Sequence, residues 1–212
     1  NEIITRNPVE VGLLNATKVS GRTRGGLGLG LFNAITNTMW AEVKDTVDYE
    51  PRTRWIDDYL AQDAAAWARE NRGVVWCKAS PFGQMVAKLA GIPYYGGGEA
   101  AEAALMAEDG SRSVVVSIPA RGESLDGLQF HFNKQLITEF PPSGKGAEQL
   151  LGRLARVGQK ADTVETEVYR HVAEYREDIE KAIEYARFDQ EMTPNAQLIL
   201  SADFDFEVGS WL

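Results

Sequence analysis

Two short runs that are apolar at nearly every position restrict this chain more than any other feature. "GVVWCKAS" begins at Gly73 and "SVVVSIPA" at Ser113, and each passes from apolar residues into small polar ones. A short run with no polar face suits a strand covered on both sides, the situation of a parallel sheet. "KQLITEFP" reads as a further strand and "IPYYGGG" as a short strand and turn; "DTVETEVY" alternates as a strand does. Between these lie segments of helical period. "FGQMVAKLA" is stopped at Gly91, and "EAAEAALMAEDG", built of strong helix formers, ends at Asp109-Gly110. "GAEQLLGRLARVG" and the charged "VAEYREDIEKAIEYARF" complete the set. Alternating strands and helices predict parallel strands joined by crossover helices, an α/β layer fold. In such sheets ligands gather at the carboxyl ends of strands. Those ends are "CKAS", "SIPARGESLDG" and "EFPPSGKG", expected on one edge.

The residues upstream read differently. Asn1 to Arg24 has no clear period, and "GRTRGGLGLGLFNAI" is glycine-rich and basic. Leu31, Phe32, Ile35, Met39, Trp40 and Val43 recur at helical spacing, Pro51 breaks that helix, and a second helix is expected from about Trp55 to Glu70. The expected division is an extension of helix and loop over residues 1–50 and a main domain over 51–212.

Charge and cysteine content exclude several functions. The formal net charge of -9 argues against a module that grips nucleic acid through a broad basic face, and leaves room for a local groove. Cys77 is the only cysteine, so no intrachain disulfide forms; with His131 and His171 the only histidines, a Cys-rich zinc site is excluded and no metal site is expected. A lone thiol in an apolar run fits a buried strand and a reducing compartment. No run of about 18 apolar residues is present, so no membrane contact is expected. The chain opens on Asn1, which is compatible with part of a longer protein.

Two loops and one helix hold the candidate chemistry. "ARGESLDGLQ" has Gly122, Gly127 and the acceptor Asp126, with Gln129 after them; by itself it is also an ordinary surface turn. "PPSGKGAEQ" lacks the spacing of a phosphate loop, so Pro142, Ser143 and Gly144 are expected to end a strand and cap a helix. On that helix Gln149, Gly152, Arg153 and Arg156 fall at i, i+3, i+4 and i+7 and share a face, while Leu150, Leu151 and Leu154 turn toward the sheet. Gly152 would permit close approach of a ligand or a facing domain. Two planar, permanently charged forks suit a triphosphate, whereas an isolated R-x-x-R is ordinarily a solvated face or an ion-paired one.

The string "EQLLGRLARVGQKADTV" resembles motif VI of superfamily 2 helicases and translocases, whose core is Q-x-x-G-R-x-x-R-x-G-Q. "GVVWCKASPFGQMVAKLAGIPYYGGG" resembles the motif IV region, and "SVVVSIPARGESLDGLQFHFNKQLITEFPP" resembles motif V and the strand leading to motif VI. The likeness runs from about Trp55 to Tyr169. "AQLILSADFDF" and "WAEVKDTVDYEPRTRW" are similar to features of phage-type helicases of the chromatin-remodeller branch. The resemblance implies the second of two RecA-like domains, a parallel sheet with helices on both faces. Arg156 would be the arginine finger at the γ-phosphate, Arg153 a phosphate or interface contact, and Gln149 a residue that positions the attacking water or the finger. Gly122, Asp126 and Gly152 would lie at the nucleotide; Lys78, Ser80 and Ser117 would face the nucleic-acid backbone. ATP and Mg would be bound mainly by an N-terminal RecA-like motor domain, the implied partner. DNA is the implied track, with RNA not excluded, in the cytoplasm of a bacterial or phage-infected cell. In this frame residues 1–50 are an arm joining two motor domains, although "NATKVSGRTRGGLGLGLFNAIT" also resembles a strand pair of bacterial outer-membrane barrels.

The sequence departs from the family in two ways. Ser124 and Gly127 stand where a tighter glycine–asparagine pattern is expected. No Walker A sequence and no D-E-x-[HD] box occurs in the 212 residues. The chain alone is therefore expected not to hydrolyse ATP. The alternative is a catalytically inactive helicase-like module that mediates protein or nucleic-acid interactions.

Overall fold

The computed structural model describes Trp55 and residues 57–121, 126–193 and 196–202. The chain divides into two compact units, Asn1–Asp58 and Tyr59–Leu212. Apart from Trp55, Asp57 and Asp58, the first unit lies outside the described residues, and with it the helix expected between Leu31 and Val43.

The second unit runs α1 (Tyr59–Glu70), β1 (Val74–Cys77), α2 (Ser80–Ala90), β2 (Tyr94–Tyr95), α3 (Glu99–Met106), β3 (Val114–Ser117) and the single turn α4 (Ile118–Arg121). A 3-10 turn (Leu128–Phe130), β4 (Lys134–Ile137), α5 (Gly144–Leu151), β5 (Glu165–Val168), α6 (Ala173–Met192) and a second 3-10 turn (Leu198–Ser201) follow. The strands form one five-stranded sheet in the order β2-β3-β1-β4-β5, and every pairing is parallel. The α/β fold expected from the alternation is the fold observed. The two apolar runs are its centre: Val74, Val75, Trp76 and Cys77 on β1 and Val114, Val115 and Val116 on β3 are all fully buried.

Alternation along the strands divides the core between two faces. On one, Val74, Trp76, Val114, Val116 and Ile137 pack with Leu105 of α3, Ala147 and Leu150 of α5, and Ile179, Ala182, Ile183 and Ala186 of α6. A line of polar bonds runs through this face. The Trp76 indole N–H donates to Gln135 Oε1 at 2.9 Å, and Gln135 Nε2 donates to Thr166 Oγ1 at 2.8 Å, linking β1, β4 and β5. On the other face lie α1, with buried Ala61, Ala64, Ala65 and Ala68, and α2. Gly83 lets α2 rest on the sheet: a Cβ there would lie 2.4 Å from Cys77 Sγ. Burial, with the nearby charge of Glu139, pushes the Cys77 thiol up to about 12, so it is a packing group and not a nucleophile.

β5 is an edge strand with half its residues exposed. Helix α1 ties it down: the Trp67 indole N–H donates to Glu167 Oε1, and the Tyr169 hydroxyl donates to Asp63 Oδ2 at 2.7 Å. Trp67 is thus a half-buried clamp on the edge strand.

Helices α2 and α5 cover opposite faces. The connection leaving β1 goes toward β2 and that leaving β4 toward β5, so the direction of winding reverses between the carboxyl ends of β1 and β4. Thr138 closes that point. Its N–H and its hydroxyl both donate to Trp76 O, at 3.1 and 3.0 Å.

Candidate functional site

Because all five strands are parallel, Val74, Val114, Lys134 and Glu165 begin at one edge, and the chain must return there after each strand. Helix α5 makes the return after β4. Ser143 starts it as expected, its hydroxyl accepting the Gly146 N–H at 3.2 Å. Eight residues span about 12 Å, close to the length of a four-residue strand. The residues after α5 therefore lie beside the amino-terminal ends of the strands. The loops were expected to share the carboxyl edge; the structure carries Arg153 and Arg156 to the opposite one.

The helix also ends earlier than its period predicts. It stops at Leu151, and residues 152–158 form consecutive turns. The N–H of Gly152 reaches Glu148 O at 2.8 Å and that of Ala155 reaches Leu151 O at 3.2 Å, but the N–H of Arg156 turns to Leu154 O at 2.9 Å. Two contacts favour this ending over further helix. Leu154 is wholly buried in the core. Gly158 takes a φ of +97°, and a Cβ there would lie 2.5 Å from the Phe130 ring. Gln159 then fixes the loop: its Nε2 donates to Phe132 O at 2.8 Å and Leu154 O at 3.3 Å, and its Oε1 accepts the N–H groups of Lys160 and Ala161.

This turn separates the two arginines. Arg153 is buried, with 8% of its surface exposed. The Arg156 side chain keeps 45% of its surface and places Nη1 3.3 Å from Asp126 Oδ1. The same oxygen accepts the Gly127 N–H at 2.9 Å and Gln129 Nε2 at 3.1 Å, while buried Gln129 takes the Gly127 N–H on its Oε1 at 2.9 Å. The Gln129 hydrogen bond, followed by the charge of Arg156, the Gly127 N–H and lastly the charge of Arg153, holds the Asp126 carboxyl below the usual aspartate range. Asp126 is thus ionised at neutral pH. Around it stand exposed apolar side chains: Val157, 94% exposed, Phe130 beside Gly158, and Met106 beside Gly127.

The other expected site residues are scattered. Lys78 and Ser80 are exposed at the carboxyl end of β1, with Ser80 opening α2 rather than lying in a loop. Ser117 ends β3 and is buried, which leaves its hydroxyl little surface to offer a nucleic-acid backbone. Gln149 is half-buried on α5. At Gly152 a Cβ would crowd the helix's own Glu148 O at 2.9 Å, while Leu198 of this chain, at 3.6 Å, would be in ordinary contact with it. Gly122 lies outside the described residues. The structure therefore brings Asp126 and Arg156 together, with the charge of Arg153 acting on the same carboxylate, and separates them from Lys78 and Ser80 by the length of the sheet.

Three side chains near the site carried no role in the sequence reading. Gln129 holds Asp126 and Gln159 holds the arginine loop. Glu148 accepts the N–H groups of Leu198 and Ile199, both at 2.8 Å, and so secures the second 3-10 turn on α5. Only the contacts with Leu198 and Ile199 distinguish Glu148 from any helix-surface glutamate, and no local pattern encodes them. Replacing Glu148 by alanine is expected to cost about 2 kcal/mol, read as a lower urea midpoint. An unchanged midpoint would remove Glu148 as the anchor of that turn.

Among the described residues no helix is long and apolar enough to cross a membrane. Residues 1–61 match the model of a family described as a domain of unknown function (DUF5916). No curated protein matches the chain. Among solved structures, the Mycobacterium smegmatis helicase Lhr bound to ssDNA and AMP-PNP is similar over 62% of this chain and 19% of its own length, at 15% identity and a TM-score of 0.43.

Proposed function

We propose that this chain is the C-terminal motor domain of an ATP-dependent DNA helicase or translocase of superfamily 2, of the phage-type chromatin-remodeller branch. It supplies Arg156 as an arginine finger to ATP and Mg held by an N-terminal RecA-like domain. One observation carries the reading. The segments that resemble motifs V and VI are distant in sequence, yet they meet through Asp126 and Arg156 at one edge of the sheet. A guanidinium there, half-exposed and ringed by Val157, Phe130 and Met106, suits a surface that a second lobe covers. In this reading Gln149 positions the attacking water or the finger, Arg153 contacts phosphate or the interface, and Gly122, Asp126 and Gly152 lie at the nucleotide. Lys78 and Ser80, at the opposite edge, suit contacts with the DNA backbone, with Ser117 behind them.

The 212-residue chain has neither a Walker A sequence nor a D-E-x-[HD] box, so it lacks the groups that grip the phosphates and the metal. Purified chain supplied with ATP, Mg and DNA is expected to release no phosphate above background in a steady-state assay. Turnover by the chain alone would sink the assignment of the phosphate-holding floor to a partner lobe.

A further inference from the structure

Arg156 already has an anionic partner, and the way that partner is held distinguishes the contact from an ordinary surface pair. Asp126 Oδ1 receives three donors. Two come from its own turn, the Gly127 N–H at 2.9 Å and Gln129 Nε2 at 3.1 Å; the third and longest contact is Arg156 Nη1 at 3.3 Å. The carboxylate stays hydrogen-bonded when the guanidinium leaves. Arg156, in turn, spends one nitrogen on the contact, and both side chains remain well exposed. Exposed pairs of this kind are weak and exchange readily. A phosphate group offers the guanidinium fork two parallel charge-assisted bonds, so exchanging the carboxylate for phosphate is favourable for Arg156.

We propose that Asp126 is a resting latch for Arg156, held in place by Gln129, which a phosphate group of the nucleotide displaces. The inference rests on the function proposed above and adds a means of regulation to the same site. Gln129 acts as a positioning residue: it is buried and uses both ends of its amide on the Asp126–Gly127 turn. The latch keeps the finger from drifting across the surface while leaving it free to exchange. Its strength sets how much of the chain presents Arg156 to phosphate at a given nucleotide concentration.

The test uses the full chain and inorganic tripolyphosphate, titrated by NMR. Asp126→Asn keeps an oxygen for Gly127 and Gln129 but removes the charge that competes for Arg156. It is expected to tighten tripolyphosphate binding about three- to tenfold. Removal of any nearby negative charge tightens anion binding somewhat, so the deciding measurement is the double-mutant cycle. In an Arg156→Ala background, Asp126→Asn is expected to change affinity little. Equal tightening in both backgrounds, or none in the first, overturns the latch. Gln129→Met keeps the side-chain volume and removes both amide bonds, and is expected to shift affinity in the same direction as Asp126→Asn. No shift overturns the holding role of Gln129. The underlying reading fails separately: if Arg156→Ala by itself leaves tripolyphosphate affinity unchanged, Arg156 is not a phosphate ligand at all.

Discussion

Replacing Arg156 by alanine is expected to lower ATP turnover by about 10³- to 10⁵-fold in an assembly that contains both motor lobes, while ATP binding is largely retained. On the proposed function, the asymmetry follows from where an arginine finger acts. A finger stabilises charge that grows as the phosphoryl group leaves, so its loss is felt in the transition state far more than in the bound ground state. Arg156→Lys is expected to recover little, because an ammonium cannot form the two parallel bonds of the guanidinium fork. Stability should hardly change, since Arg156 is half-exposed and Asp126 keeps its donors from Gly127 and Gln129. The check is single-turnover kinetics beside nucleotide-binding titration and thermal unfolding. If turnover survives, the chain is a helicase-like interaction module, and the apolar rim of Val157, Phe130 and Met106 becomes its principal surface.

Trp76→Ala should be the most damaging single change to the fold. The side chain is completely buried on the central strand, and its indole N–H satisfies Gln135. Truncating a buried tryptophan costs about 3–5 kcal/mol, and leaving the Gln135 carbonyl without its donor adds about 1–3 kcal/mol. Against a typical total stability of about 5–15 kcal/mol, the variant is expected to be largely unfolded or only marginally folded. Far-ultraviolet circular dichroism with urea titration reads the loss. Trp76→Phe weights the two contributions differently, because it removes the donor with a much smaller loss of apolar volume. A loss below about 1 kcal/mol for the alanine variant would contradict the central burial of β1.

The strands were legible in the sequence for a simple reason. Residues such as Val74–Cys77 and Val114–Val116 are apolar on both faces, and only a layer on each side can cover them. The Ser143 cap was also readable, because a hydroxyl three residues before the N–H it accepts is local chemistry. Local pattern does not capture the end of the arginine helix, which stops at Leu151. Its period continues past Leu151, but the tertiary burial of Leu154 and the Gly158–Phe130 contact outweigh helix propensities worth tenths of a kcal/mol per residue. Gln129 stood in view as a polar loop residue; nothing within its own segment announces that its amide holds Asp126 opposite Arg156.

By itself, then, the sequence determined the class of sheet and the alternation of its elements, and it offered candidate side chains for a phosphate. Tertiary structure alone decided which edge those side chains reach, that Arg153 turns inward while Arg156 stays half-exposed, and that Asp126 is the carboxylate Arg156 meets. The division is physical. Backbone preference and apolar pattern act between neighbours in the chain and can be read from a few residues at a time. The pairing of Asp126 with Arg156, the bonds of Gln159 to Phe132 and those of Glu148 to Leu198 join residues far apart in sequence, so they exist only once the sheet has brought their segments side by side.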